Sequence, residues 1–231
     1  MNKSKLIAVV ALVTLIAGCT STPQFQSGPD AEITHDGLTR LDKTIMDAVW
    51  ARSDIDLVDY NKVLLEGVGI EFRPVKGAYS GRGGTTTMRR TSQSEFQLDD
   101  QSKALVAEEL KSAFVEELAK SGAYEVVTAP GPDVLTLRVG ALDVVSMVPP
   151  ETVGRSSIYL DRVGEATLVM ELRDSMSHAI LLRAVDRRAA ENPGGMTMEA
   201  NRATNRMEVR RLGRKWASIV RNGLESAMSS E

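Results

Sequence analysis

Two histidines, His35 and His178, one cysteine, Cys19, and a set of clustered carboxylates are the residues of this 231-residue chain whose chemistry could reach beyond packing. His178 follows Asp174-Ser175-Met176-Ser177, so a Ser-His-Asp arrangement can be written on paper. No Gly-x-Ser-x-Gly elbow accompanies it, and an imidazole beside a hairpin tip is ordinarily just solvated. Asp54, Asp56 and Asp59 suggest an acidic metal loop. Counted from Asp54, however, an EF-hand needs glycine at its sixth position and glutamate at its twelfth, where this chain has Asp59 and Leu65. That spacing fits a turn whose carboxylates accept hydrogen bonds from nearby amides. Gly81-Arg82-Gly83-Gly84 is followed by Thr85 rather than by Gly-Lys-Ser or Gly-Lys-Thr, so it is not a phosphate-gripping P-loop. No catalytic constellation emerges, and the chain reads as a non-enzyme.

Arginine is better placed for binding than any of these groups is for catalysis. Arg202, Arg206, Arg210 and Arg214 recur at every fourth position near the C-terminus, joined by Arg211, Lys215 and Arg221. On a helix this spacing makes one cationic stripe that could meet anionic headgroups or an acidic partner. The plainer alternative is a solvated face partly neutralised by Glu199 and Glu208. Arg82, Arg89 and Arg90 lie in a long polar stretch from Lys76 to Gln97, of the kind that is either functional or disordered, and form a second partner-binding candidate.

The N-terminus supplies an address. Met1 to Lys5 is basic, and Leu6 to Leu15 is apolar except for Thr14, the layout of a signal peptide. A bilayer-spanning helix needs about 20 apolar residues, roughly twice this run. Leu15-Ile16-Ala17-Gly18-Cys19 resembles the lipobox of bacterial lipoproteins, in which the cysteine is acylated and the leader removed before it. The resemblance implies a signal peptide over residues 1–18 and lipid on Cys19. Each buried methylene contributes about 0.8 kcal/mol, so several acyl chains would hold the protein on a membrane permanently. Thr20 rather than aspartate follows the cysteine, which by the same resemblance implies the outer membrane, with the domain facing the periplasm. With Cys19 given to lipid, no histidine and cysteine metal site can be assembled, and neither metal nor cofactor is expected. Loss of Lys3 and Lys5 leaves 26 basic against 31 acidic side chains, which argues against a nucleic-acid partner.

The elements that would position these residues can be read from periodicity. Thr20 to Asp30 has no pattern and reads as a flexible tether within a 19–31 linker, leaving a single domain over 32–231. Aromatics make up only 4% of the chain, so aliphatic side chains must fill its core. Leu38, Leu41, Ile45, Met46 and Val49 suggest a short helix within 33–50. Val68, Ile70 and Phe72 alternate in a strand from Lys62 to Arg73. A helix from Gln101 to Ser121 has Asp99 and Asp100 to cap its start and Gly122 to close its end. Tyr124 to Thr128 is a short strand, and Leu135 to Val144 a longer one with a change of phase that suggests a bulge near Gly140. From about Glu165 to Arg188 a hairpin is expected, with Leu172 opposite Ile180, Met170 opposite Leu182, Leu168 opposite Ala184 and Glu165 opposite Arg187; a one-residue slip would bury Arg183 instead. A last helix runs from about Glu199 to Ala227. The order predicts a two-layer α+β domain, a mostly antiparallel sheet with helices packed on one face.

Asp56-Leu57-Val58-Asp59-Tyr60-Asn61-Lys62-Val63, Glu171-Leu172-Arg173-Asp174-Ser175, Arg183-Ala184-Val185-Asp186-Arg187-Arg188 and Trp216-Ala217 resemble phrases of the bacterial lipoproteins grouped as the domain-of-unknown-function 3313 family, DUF3313. The resemblance implies a secreted lipoprotein and no particular reaction. The expectation is a non-catalytic binding or adaptor module of the cell envelope, attached to a membrane by lipid and presented to an envelope protein. The alternative is a periplasmic enzyme acting on peptidoglycan or a lipid precursor, recognisable by a deep pocket with two convergent acidic residues.

Overall fold

The computed structural model describes residues 22–75, 95–148, 159–192, 194 and 196–229. The stretch read as a signal peptide, Cys19, Arg82, Arg89 and Arg90 fall outside these residues. In chain order the elements are β1 (Gln24–Phe25), β2 (Thr39–Asp42), β3 (Ala48–Ala51), β4 (Lys62–Phe72), α1 (Asp100–Leu118), β5 (Glu125–Val127), β6 (Val134–Ser146), β7 (Tyr159–Leu160), β8 (Arg162–Asp174), β9 (Ile180–Glu191), β10 (Met198–Glu199) and α2 (Arg202–Met228). Eight strands form one sheet in the order β1-β2-β3-β9-β8-β6-β4-β5, and β7 and β10 form a separate two-stranded ribbon. Most neighbours are antiparallel; β4 runs parallel to both β5 and β6. Both helices pack on the same face of the sheet, so the domain is two-layered α+β.

The strands alternate as half-buried strands must. Along β8, Ala166, Leu168, Met170 and Leu172 point at the helices, meeting Leu137, Val139 and Ala141 of β6 and Ala184 of β9. From α2, Leu212, Trp216, Val220 and Leu224 enter this core, and from α1, Leu110, Ala113, Phe114 and Leu118. The two helices touch closely at Gly213, where an added Cβ would lie 2.9 Å from the Ala113 Cβ. The α1 cap is as expected, since the Asp99 carboxylate accepts from Ser102 N at 2.6 Å. At the other end, Lys120 N donates to Glu117 O and Ser121 N to Leu118 O in tightening turns, and Gly122 does not take the left-handed conformation. Asn201 caps α2 by accepting from Thr204 N at 2.9 Å.

Several further expectations need correction. Residues 33–50 hold no helix: β2 and β3 form a hairpin there, and Thr39, Val49 and Trp50 suit strands better than helix. Leu38, Met46 and Val49 still point inward, whereas Ile45 is 76% exposed at the turn. The bulge in β6 sits between Leu142 and Val145, where Asp143 has φ 56, and not at Gly140, which pairs regularly with Gly69 and Val169. The β8–β9 hairpin is offset by two residues, with Leu172 opposite Leu182, Met170 opposite Ala184 and Leu168 opposite Asp186. A two-residue slip keeps every side chain on its own face, so burial alone cannot detect it. The turn decides instead. Asp174 Oδ1 accepts from Ser177 N and Ser177 Oγ, each at 2.6 Å, and His178 takes φ 59. Within the stretch read as a tether, Gln24 and Phe25 pair with Asp42 and Leu41.

Candidate functional site

The face of the sheet turned away from the helices carries three parallel rows of side chains. Gly69, Gly140, Val169, Val185 and Ala48 are successive neighbours across β4, β6, β8, β9 and β3, a row of side chains no larger than valine. Five strands at a spacing of about 4.8 Å make this a shallow trough about 19 Å long, with its banks two residues away on either side.

One bank is the row Gly67, Arg138, Glu171, Arg183, Trp50 and Arg40. Arg138 pairs with Glu66 at 3.0 Å. Glu171 accepts from both Arg173 and Arg183, and Arg183 reaches Asp36 at 2.9 Å. Burial pushes the Glu171 carboxyl up, and the two guanidinium groups more than reverse this, leaving it below the usual range. Arg40 stacks 4.7 Å from the Trp50 ring centre, and the indole N–H donates to Glu32 at 2.9 Å.

The other bank is built around the β6 bulge. The left-handed turn at Asp143, a conformation aspartate tolerates, delivers its carboxylate to Arg73 at the end of β4 and Arg187 of β9. Arg73 Nε donates to Asp143 Oδ1 at 2.6 Å, and Arg187 Nη1 to Asp143 Oδ2 at 2.8 Å. Glu165 takes a second bond from Arg187 and lies 3.4 Å from Arg73, which also binds Glu95. Arg73 first and Arg187 second hold the Asp143 carboxyl far below its ordinary value. The expected contact between Glu165 and Arg187 is present, on a diagonal rather than directly across the hairpin.

The arginine stripe lies elsewhere, and much of it turns toward α1. Glu109, buried at 2% exposure, accepts from Arg206 and lies 3.4 Å from Arg210. Glu116 accepts from Arg210 at 2.5 Å and Arg214 at 3.2 Å, and Glu117 accepts from Arg221 at 2.7 Å. Glu208 neutralises Arg211 from within α2, as expected, at 2.7 Å; the carboxylates that meet Arg206, Arg210 and Arg214 come from the facing helix, which periodicity within α2 could not reveal. Arg202 opens α2, and its side chain is not among the described residues. His178 sits at the hairpin tip, and Asp56 accepts from Val58 N at 3.0 Å in a local turn.

An open depression of about 560 Å³ beyond the end of α1 is lined by Asn61, Ser121, Tyr124 and Glu125, among others. It brings in one carboxylate, and burial pushes the Tyr124 hydroxyl up to about 12. Among the described residues no group of three or more His, Cys, Asp or Glu is placed to hold a metal ion, and no helix is long and apolar enough to cross a membrane. Sequence reasoning named Glu165 and Arg187 as a pair but missed Arg73 and Asp143, which are distant in the chain. Their only signal was the change of phase in β6.

No curated protein matches the chain. Among solved structures, the PelC dodecamer from Paraburkholderia phytofirmans is similar at 14% identity and a TM-score of 0.34, over 75% of this chain and 96% of that one. A DUF330 protein from Xanthomonas campestris is similar at 12% identity and a TM-score of 0.40, over 77% and 90%. A candidate lipoprotein from Caulobacter crescentus is similar at 12% identity and 0.32, over 58% and 88%. The family described as "Protein of unknown function (DUF3313)" matches residues 34–219, which takes in both helices' contact and every strand of the open face from β2 to β9, and the chain therefore belongs to the DUF3313 family.

Proposed function

We propose that this DUF3313 protein is a lipoprotein held by acylated Cys19 on the periplasmic side of the outer membrane, where its open sheet face docks another envelope component without catalysing a reaction. The leader that ends at Cys19 supports the address. The observation that carries the non-catalytic reading is the state of the carboxylates on that face. Asp143 and Glu171 each have both oxygens bound by arginines, so neither keeps a proton to give as a general acid nor offers an unengaged oxygen as a base or nucleophile. They lie on a shallow surface and not in a deep cleft, which supports binding over the alternative of a peptidoglycan or lipid-precursor enzyme.

Photo-crosslinking groups placed in living cells at Arg138 and Leu142 on the open face, and at Val115 on α1, test the reading. One dominant adduct from the first two positions and none from Val115 is expected. Equal or absent adducts from all three would overturn it. Pull-down of the lipidated protein from mild-detergent extracts, compared with Cys19→Ala, should recover the same component.

A further inference from the structure

The first strand of the domain, β1, lies beside one particular turn. Gln24 pairs with Asp42 at the end of β2, and the turn to β3 follows at once. Lys43 Nζ donates to Gln24 Oε1 at 2.9 Å, so this turn and the entry point of the chain are in contact. Four residues lie between Cys19 and Gln24, so five Cα-to-Cα steps give a reach of at most about 18 Å. Wherever Cys19 is fixed, the turn between β2 and β3 is held nearby.

The turn is rigid and ends in an apolar side chain. Thr44 Oγ1 donates to Met46 O at 2.8 Å, Arg188 Nη2 to Ile45 O at 3.2 Å, Arg40 Nη2 to Asp47 O at 2.8 Å, and Asp47 N to Asp186 Oδ1 at 3.2 Å. Met46 is buried beneath it, yet Ile45 is 76% exposed, the most exposed of the large hydrophobic side chains described. Its setting is amphipathic. Lys43 and Arg40 flank the tip, and Arg188, which donates to Ile45 O, is paired with the buried Asp186; of the other neighbouring acids, Asp42 accepts from Gln26 and Asp47 from Arg187 N. An exposed aliphatic tip flanked by Lys43 and Arg40 fits the headgroup layer of a bilayer, where the apolar end enters and the cations meet phosphate.

We infer that the β2–β3 turn is the domain's contact with the leaflet that holds the Cys19 acyl chains, with Ile45 entering the lipid. The inference rests on the lipoprotein reading above and adds an orientation to it. A short tether keeps the turn at high local concentration over the lipid, so a contact too weak to bind vesicles alone is formed by the anchored protein. The hairpin tip at Met176 then points away from the membrane, since it lies at the other end of β9 from Arg188.

The test uses the full lipidated protein with a single new cysteine, Ile45→Cys or Met176→Cys, carrying an environment-sensitive fluorophore. It is reconstituted into vesicles of phosphatidylethanolamine and phosphatidylglycerol that contain a brominated lipid. Emission at position 45 should be blue-shifted and quenched several-fold more than at 176. Equal quenching at both positions, or stronger quenching at 176, overturns the inference. Flotation and the mass of the N-terminal peptide are read on the same samples. Protein that floats with an acylated Cys19 but is not quenched at 45 refutes the orientation alone, whereas protein that carries no acyl mass refutes the lipoprotein reading itself. Both sites are exposed, so neither substitution threatens folding.

Discussion

The Trp216 indole Nε1 donates to Asp186 Oδ2 at 2.7 Å, and both side chains are almost wholly buried. Arg188 binds the same carboxylate, and Asp47 N donates to its other oxygen at 3.2 Å. One carboxylate thus joins α2, β9 and the β2–β3 turn. Removing one partner of a buried pair strands the groups that remain. Asp186→Ala should lower unfolding stability by about 3 to 5 kcal/mol, read by urea denaturation. A loss below about 1 kcal/mol would show that the joint is dispensable.

The Asp143 carboxylate on the open face should make stability depend on acid. Its folded-state carboxyl lies below the ordinary value of 3.8 because of Arg73 and then Arg187. The stabilisation is therefore complete above that value and is lost as pH falls toward the folded-state titration. The Asp143→Asn variant should lose about 1 kcal/mol at neutral pH, a figure kept small by partial exposure of the group. Its melting temperature should fall less steeply than the wild type's between neutral pH and strong acid. Parallel curves would refute the assignment.

Gly213 sets the approach of α1 and α2. An added Cβ would lie 2.9 Å from Ala113 Cβ and 3.2 Å from Leu110 Cδ2. Alanine favours a helix over glycine by about 1 kcal/mol, but overpacking typically costs about 1 to 3. Gly213→Ala should thus destabilise on balance, and Ala113→Gly in the same chain should recover part of the loss. Additive losses in the double-mutant cycle would mean that the two positions do not touch.

Arg206 faces a carboxylate that has little access to water. With Arg206→Ala, Glu109 keeps, among the described side chains, the longer contact to Arg210. A loss of about 1 to 3 kcal/mol is expected from stranding a buried charged group. Arg138→Ala, which breaks a pair about half exposed on both sides, should cost under about 1 kcal/mol. If calorimetry finds the two variants equal, the α1–α2 pairs are no more than surface contacts.

Much of this architecture was legible in one dimension, because a helix or strand that buries one face must repeat its apolar residues at its own period. That is why α1, α2, β4, β6 and the β8–β9 hairpin could be read from Leu110, Phe114, Trp216, Val220, Leu168 and Met170, and why Asp99 could be read as a cap. Where the period is short or weak, as around Leu41 and Val49, the local pattern does not distinguish a helical turn from two strands of four residues, and pairing with β9 decided it.

What the chain alone determined is the set of faces: which side of each element is apolar, and where the apolar run ahead of Cys19 stops. Which residues meet across those faces was decided by tertiary structure. A two-residue offset leaves every face intact, so the β8–β9 register waited on the Asp174 turn. The partners of Arg206 and Arg210 lie about a hundred positions away, on a helix whose docking angle no local pattern contains. Charges find partners by distance in space, and only the folded core sets that distance.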